Sequence, residues 1–243
     1  MISLKVRSRN HVKCMTHSLT VDEFLLNPKS GLSEFISVND LRQTIEESDW
    51  NLHQSVLDHT LKVFDSIDRL ISLELPHLEL LTPIKPDIVS YVDSMLGNHS
   101  RRVLLKVSSL LHDLGKVSLI RTGERWGTAC PGHAEESRKI FESAGHVLPL
   151  PLREHNYVAS IIGKHHDAEH FVGCQSTEQC EAELERYKRE NEGIMIDLLL
   201  FYLCDFEGSK INLTVERQKP LIFKKICGVI FEAFAVRRSY SLV

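Results

Sequence analysis

Apolar residues recur along this chain at helical spacing and almost nowhere at strand spacing. The clearest case is residues 52–73, where Val56, Leu57, Leu61, Phe64, Ile67, Leu70 and Ile71 follow a 3.6-residue period. Similar patterns predict helices over about 86–96, 101–111, 133–144, 152–165, 177–191, 194–206 and 217–238. Asn27-Pro28, Gly31, Pro76, Pro83, Pro86 and Gly97-Asn98 punctuate them. Residues 115–132 hold Gly115, Gly123, Gly127, Pro131 and Gly132 with little periodicity, and read as a long loop, of the kind that is often functional. The expected fold class is all-α with one continuous core. Residues 1–50 form an N-terminal helical extension, 51–208 the core unit, and 209–243 a C-terminal helix packed on it.

Composition removes several alternatives. A chain of 243 residues that is 42% hydrophobic can bury a real core, which excludes disordered and collagen-like classes. Lys and Arg total 29 against 33 Asp and Glu, so the net charge of -4 argues against stable DNA binding. The six cysteines are Cys14, Cys130, Cys174, Cys180, Cys204 and Cys227. They form no C-x-x-C pair and read as thiols of a reducing compartment rather than a secreted framework. The N-terminus lacks the apolar stretch of a signal peptide. The run 194–204 is short and broken by Asp197, and 221–236 carries Lys224, Lys225 and Glu232. A cytoplasmic protein without a membrane span is expected.

The chemistry lies in ionisable residues set among leucines. His59 falls mid-helix in VLDHTLKVFD, and His112-Asp113 close a helix in SSLLHDLGK. His133 opens one in PGHAEESRKIF, His165-His166 end one in IIGKHHD, and Asp205 follows an apolar run in FYLCDFEGS. A buried carboxylate needs a cation or hydrogen bonds. Imidazole with carboxylate suits Zn, Fe, Ni or Mn. Seven such groups are too many for one tetrahedral ion and suit two ions bridged by a carboxylate, for which Asp113 is placed best. Two ions can clamp the attacking and leaving oxygens of a phosphoester displacement. No nucleophile-elbow G-x-S-x-G is present.

The ordered series H…HD…H…HH…D resembles the HD superfamily of metal-dependent phosphohydrolases over about residues 52–208. It is most similar to the HD domain associated with bacterial tRNA nucleotidyltransferases, the CCA-adding enzymes. The stretches HQSVLDHTLKVFD, LLHDLGK, PGHAEESRKIF, LPLPLREHNYVASIIGKHH and LLLFYLCDFEGS carry the likeness. The resemblance implies an HD-domain helical bundle in which His59, His112, Asp113 and Asp205 are primary metal ligands. His133, His165 and His166 match the extra ligands of binuclear members, and Lys116 a phosphate-contacting lysine. No Gly-Tyr-Pro follows the His pair, and residues 1–50 lack nucleotidyltransferase motifs, so neither a cyclic-dinucleotide substrate nor CCA addition is expected.

The implied activity is hydrolysis of a nucleotide or RNA-end phosphoester, of 2′,3′-cyclic phosphodiesterase, nucleotidase or phosphatase type. One or two divalent ions (Mn, Ni, Fe, Zn, Co or Mg) would serve as cofactors. Asp113 and Lys116 are the expected catalytic residues, with Lys116, Arg121, Arg125 and His170 as substrate contacts and Trp126 as a base-stacking candidate. Two other readings fit the series: an HD-fold di-iron oxygenase, and a non-catalytic nucleotide-binding module. Taken singly, His59 reads as a core histidine, His133 as a helix cap, Lys116, Arg121 and Arg125 as solvated charges, and residues 181–192 as a solvated helix face.

Overall fold

The computed structural model describes residues 18–49, 51–123, 127–174 and 176–240. The described chain is all-α. Three short helices, α1 (Val21–Leu26), α2 (Pro28–Leu32) and α3 (Val38–Gln43), lead into a minimal antiparallel pair, β1 (Ile45–Glu46) with β2 (Gln54–Ser55). The long α4 (Val56–Ile71) follows, then a 3-10 turn (Glu79–Ile84), α5 (Lys85–Asp93) and α6 (Arg101–Leu111). Next come α7 (Lys116–Leu119), a hairpin of β3 (Arg121–Gly123) and β4 (Gly127–Ala129), α8 (His133–Ser143) and α9 (Leu152–Lys164). The chain closes with α10 (Glu169–Val172), α11 (Thr177–Glu190), α12 (Met195–Gly208) and α13 (Leu213–Tyr240).

Local chemistry sets these boundaries. Ser55, Ser100 and Ser176 cap α4, α6 and α11 by accepting from the backbone N–H of Asp58, Val103 and Gln179, and Thr20 with Glu23 forms a full capping box on α1. The segment expected to be a long loop is a short helix and a hairpin instead. Three-residue strands carry too few alternating positions to stand out by period.

The bundle is built around α12, which is buried on nearly every side from Ile196 to Gly208 and packs along α4. A helix apolar all round belongs at the centre of a core. Phe24, Leu32 and Leu41 from the first three helices are fully buried in the same apolar cluster as Phe201, Phe223 and Leu110. That continuity ties the N-terminal segment to the body. Phe223, Ile226, Cys227, Ile230 and Phe234 anchor α13 to it as well. Among the described residues, no helix is long and apolar enough to cross a membrane.

One polar knot sits in this core. Asp197 of α12 is fully buried. It accepts from Tyr91 Oη (2.6 Å) and Tyr157 Oη (2.8 Å), and pairs with Arg101 Nη1 at 2.6 Å. Burial pushes its carboxyl up, against the pull of Arg101 and the two hydroxyls. The knot therefore ties α5, α6, α9 and α12 at one level.

Cys174 and Cys180, which carry no pairing signal in sequence, are joined as a disulfide. The turn from α10 into α11 brings their Cα atoms to 5.4 Å. Among the described residues, Cys130, Cys204 and Cys227 are free thiols.

Candidate metal centre

The ligand-type residues expected from sequence converge. His59 projects from the second turn of α4, His112 caps α6, and Asp113 follows directly. His133 is the first residue of α8, His165 caps α9, and Asp205 lies in the last turn of α12. A close backbone approach makes the convergence possible. A Cβ on Gly115 would fall 2.4 Å from the carbonyl oxygen of His133, so only glycine lets the turn after Asp113 press against the start of α8.

The first group comprises His59, His112, Asp113 and Asp205. His59 Nε2 lies 2.9 Å from Asp205 Oδ1 and 3.3 Å from Asp113 Oδ2. His112 Nε2 lies 3.3 Å from Asp113 Oδ2 and 3.4 Å from Asp205 Oδ1, and the two imidazole Nε2 atoms are 3.3 Å apart. The second group is His133, His165 and His166. His133 Nε2 is 2.9 Å from His166 Nε2. Asp113 Oδ1 faces this group, 3.2 Å from His133 Nε2 and 3.8 Å from His165 Nε2. The two oxygens of one carboxylate thus serve different histidine sets.

Four of the five imidazoles are oriented from behind, the exception being His59, whose Nδ1 is buried without a hydrogen bond. Nδ1–H of His112, His133 and His165 donates to the carbonyls of Ser109 (2.8 Å), Cys130 (2.7 Å) and Ile162 (2.7 Å), each three residues earlier. Nδ1 of His166 donates to Glu169 Oε1 at 2.6 Å. Fixing Nδ1 as the donor leaves Nε2 of the neutral ring as a lone pair aimed at the centre, the arrangement found behind metal-bound histidines. Facing Nε2 atoms at 2.9 and 3.3 Å need a proton or cation between them. Both oxygens of Asp113 and Nε2 of His165 are buried without a hydrogen bond of good geometry.

The electrostatics agree. Burial alone would lower His112, but Asp113 and Asp205 outweigh it and push the imidazole up to about 10. Burial would raise Asp113, yet His112, Lys116 and His133 hold it well below the usual carboxylate range. Asp205 is held low in the same way by His112 and His59. His165 is pushed well down by burial and by the neighbouring His166 and His112. A positive charge shared among these atoms stabilises both carboxylates.

The spacing also fits a cation. Two ligand atoms about 2.1 Å from one ion lie about 3.0 Å apart at a right angle and about 3.4 Å apart at the tetrahedral angle. The separations in the first group, from 2.9 to 3.4 Å, span that range. These buried His and Asp groups are capable of holding metal ions.

Lys116 is itself buried. Its Nζ lies 2.8 Å from Asp113 Oδ2 and 3.0 Å from Glu46 Oε1. Burial would lower this lysine, but Asp113 and Glu46 hold it firmly protonated. Sequence reading missed Glu46, which comes from the segment taken as an extension, and Glu169 behind His166. Glu46 reaches Lys116 only through tertiary approach across 70 positions, which no local spacing marks.

His170 is exposed on α10 and is not among the residues lining the cleft over the centre. The Arg121 side chain, Arg125 and Trp126 lie outside the described residues.

A cleft of about 1310 Å³ opens above the centre, with His59, Lys116, His133, His166 and Asp205 on one side and α13 on the other. Fold and site together define an all-α protein with a buried, cation-ready histidine–aspartate cluster under an open cleft. Compared with known families and curated proteins, the chain matches no family model and no curated protein.

Proposed function

We propose that the protein is a metal-dependent phosphohydrolase of the HD type, acting on a phosphoester in the cleft over the His/Asp centre. The observation that carries this reading is the division of Asp113: Oδ2 toward His59 and His112, Oδ1 toward His133 and His165. His59, His112, Asp113 and Asp205 would hold one divalent ion, and His133, His165 and His166 with Asp113 a second. Such ions supply Lewis acidity and bring a water to a pKa near neutrality.

The chain's own residues do the rest. The backbone carbonyls behind His112, His133 and His165 keep those rings from turning. Lys116, protonated and anchored by Glu46, sets a positive charge at the cleft floor where phosphoryl oxygens gain charge. His112, His165 and Asp113 are closed to solvent, whereas His59, His133, His166 and Asp205 border the cleft, so substrate would reach both groups from that opening. Nucleotide and RNA-end phosphoesters are the substrates to which the sequence resemblance points.

The test is metal analysis of purified protein, followed by hydrolysis of a chromogenic diester, 2′,3′-cyclic nucleotides and 5′-nucleotides with Mn, Ni, Co, Fe, Zn or Mg. Wild-type protein is expected to carry metal and turn over, and Asp113→Ala to lose both. Unchanged turnover in Asp113→Ala refutes the mechanism. Oxygen consumption with a mixed-valent iron signal, and no hydrolysis with any ion, replaces it with a di-iron oxygenase. Nucleotide binding without turnover replaces it with a binding module.

A further inference from the structure

The cleft continues well beyond the space a phosphate needs. Its far wall is one stripe of α13, from Gln218 through Leu221, Ile222, Lys225, Gly228 and Val229 to Glu232. From Gln218 to Glu232 the helix rises about 21 Å. This wall is mixed: Leu221 is 70% exposed, Ile222 and Val229 stand at the border of the buried face, and Gln218, Lys224, Lys225 and Glu232 place polar groups beside them. Val172 and Leu184 stand among the other lining residues. Drug-sized ligand sites are usually about 300–1,000 Å³, so about 1310 Å³ accommodates a phosphoester with a sizeable organic part.

Gly228 is the second observation. It sits inside a long helix, where glycine is among the poorest formers. A Cβ there would meet nothing within 4 Å. No packing demand explains the glycine, and its missing side chain leaves a hollow in the wall that faces the cleft.

The surroundings favour hydrocarbon over a base. Among the described residues, Tyr202 and Phe206 line the cleft but are buried, and the Phe206 ring meets Phe223 edge-on at 5.7 Å, so these two rings leave little face for stacking. Lys225 already donates to the carbonyls of Phe171 (2.6 Å) and Val172 (3.3 Å). We propose that the hollow at Gly228 and the apolar side chains around it (Leu221, Ile222, Val229, with Val172 and Leu184 across the cleft) bind the hydrocarbon body of the substrate, making it a phosphoester of an extended apolar alcohol. This rests on the phosphohydrolase reading and narrows its substrate away from nucleotides.

The probes are n-alkylphosphonates from ethyl to octyl, which cannot be hydrolysed, and a nucleoside 5′-phosphonate. Binding is measured by calorimetry on metal-loaded and chelator-treated protein. Each added methylene is expected to tighten binding about fourfold until the stripe is covered, and the nucleoside phosphonate to bind no better than the ethyl compound. Gly228→Ala should raise Tm by about 3 °C. Gly228→Leu, filling open space, should not lower Tm and should lose the chain-length dependence.

Affinity independent of chain length, or chain-length dependence unaltered in folded Gly228→Leu, overturns the proposal, as does a nucleoside phosphonate that outcompetes octylphosphonate. If the metal-loaded enzyme hydrolyses the chromogenic diester while chain length has no effect, only this inference falls. If chain length matters with and without metal but no ester is ever hydrolysed, the apolar site stands and the phosphohydrolase reading falls.

Discussion

Replacing Asp197 with Asn tests whether the buried knot sets the register of the metal centre. Asp197 precedes Asp205 on α12, and Tyr157 precedes His165 on α9, each by eight residues or about 12 Å of helix. Arg101 precedes His112 on α6 by eleven residues, about 16 Å. Three ligand-bearing helices are therefore pinned two to three turns from their ligands by one carboxylate. The substitution keeps the volume but leaves Arg101 without its counter-ion and one tyrosine hydroxyl without an acceptor. Breaking a buried pair on one side costs about 3–5 kcal/mol. In a domain of this size that lowers Tm by roughly 10 °C. Removing groups that orient ligands weakens metal affinity about 10–100-fold, and the low end is expected here because the knot acts at a distance. The assay pairs urea denaturation with metal titration by calorimetry. Ile88→Ala is the control: it opens a cavity on α5, which carries none of these ligands, at about 2–5 kcal/mol. A loss below about 1 kcal/mol in Asp197→Asn refutes the burial argument, and metal affinity falling equally in both variants refutes the positioning argument.

Chelation should lower Tm, and metal at 100 times its Kd should restore about 2.7 kcal/mol, checked by scanning fluorimetry; a Tm indifferent to metal contradicts the fit of the site. In chelator-treated protein, His112 is raised from 6.5 to about 10, so its contribution is complete below pH 6.5 and fades as pH climbs toward 10. Melting curves across that window should show the decline, and metal-loaded protein should show less of it. Gly115→Ala must displace the start of α8, so it should cost metal affinity as well as stability, seen in the same titration. Phe24→Ala should cost about 3–5 kcal/mol in a single urea transition; a separate early transition would show that α1–α3 do not share the core's cooperativity.

Much of the fold was legible because long amphipathic and apolar helices announce themselves by period. The boundaries of α4, α6, α9 and α11 fall within a few residues of the sequence expectation. The centre was legible because His and Asp among leucines are anomalous wherever they occur. What stayed hidden depends on tertiary approach. Glu46 meets Lys116 across 70 positions, and Asp197 collects partners from three other helices. His170 lies close to the histidine pair in sequence, but its exposed place on α10 depends on the turn between them, which spacing alone does not give. The Cys174–Cys180 bond needed only a turn of the right shape, which no spacing rule specified.

The placement of the acids carries its own consequence. Asp113 follows the last turn of α6 and Asp205 stands in the last turn of α12, while His165 caps α9. Those are the carbonyl ends of three helices, each bearing roughly half a negative charge; α8 and α4, with His59 its fourth residue, present their amino ends instead. Two anions at negative poles are held ionised in the bare polypeptide by the buried histidines and Lys116. Three carbonyl ends add their pull to that of the carboxylates, so a variant stripped of either carboxylate should keep a weak residual affinity for divalent ions.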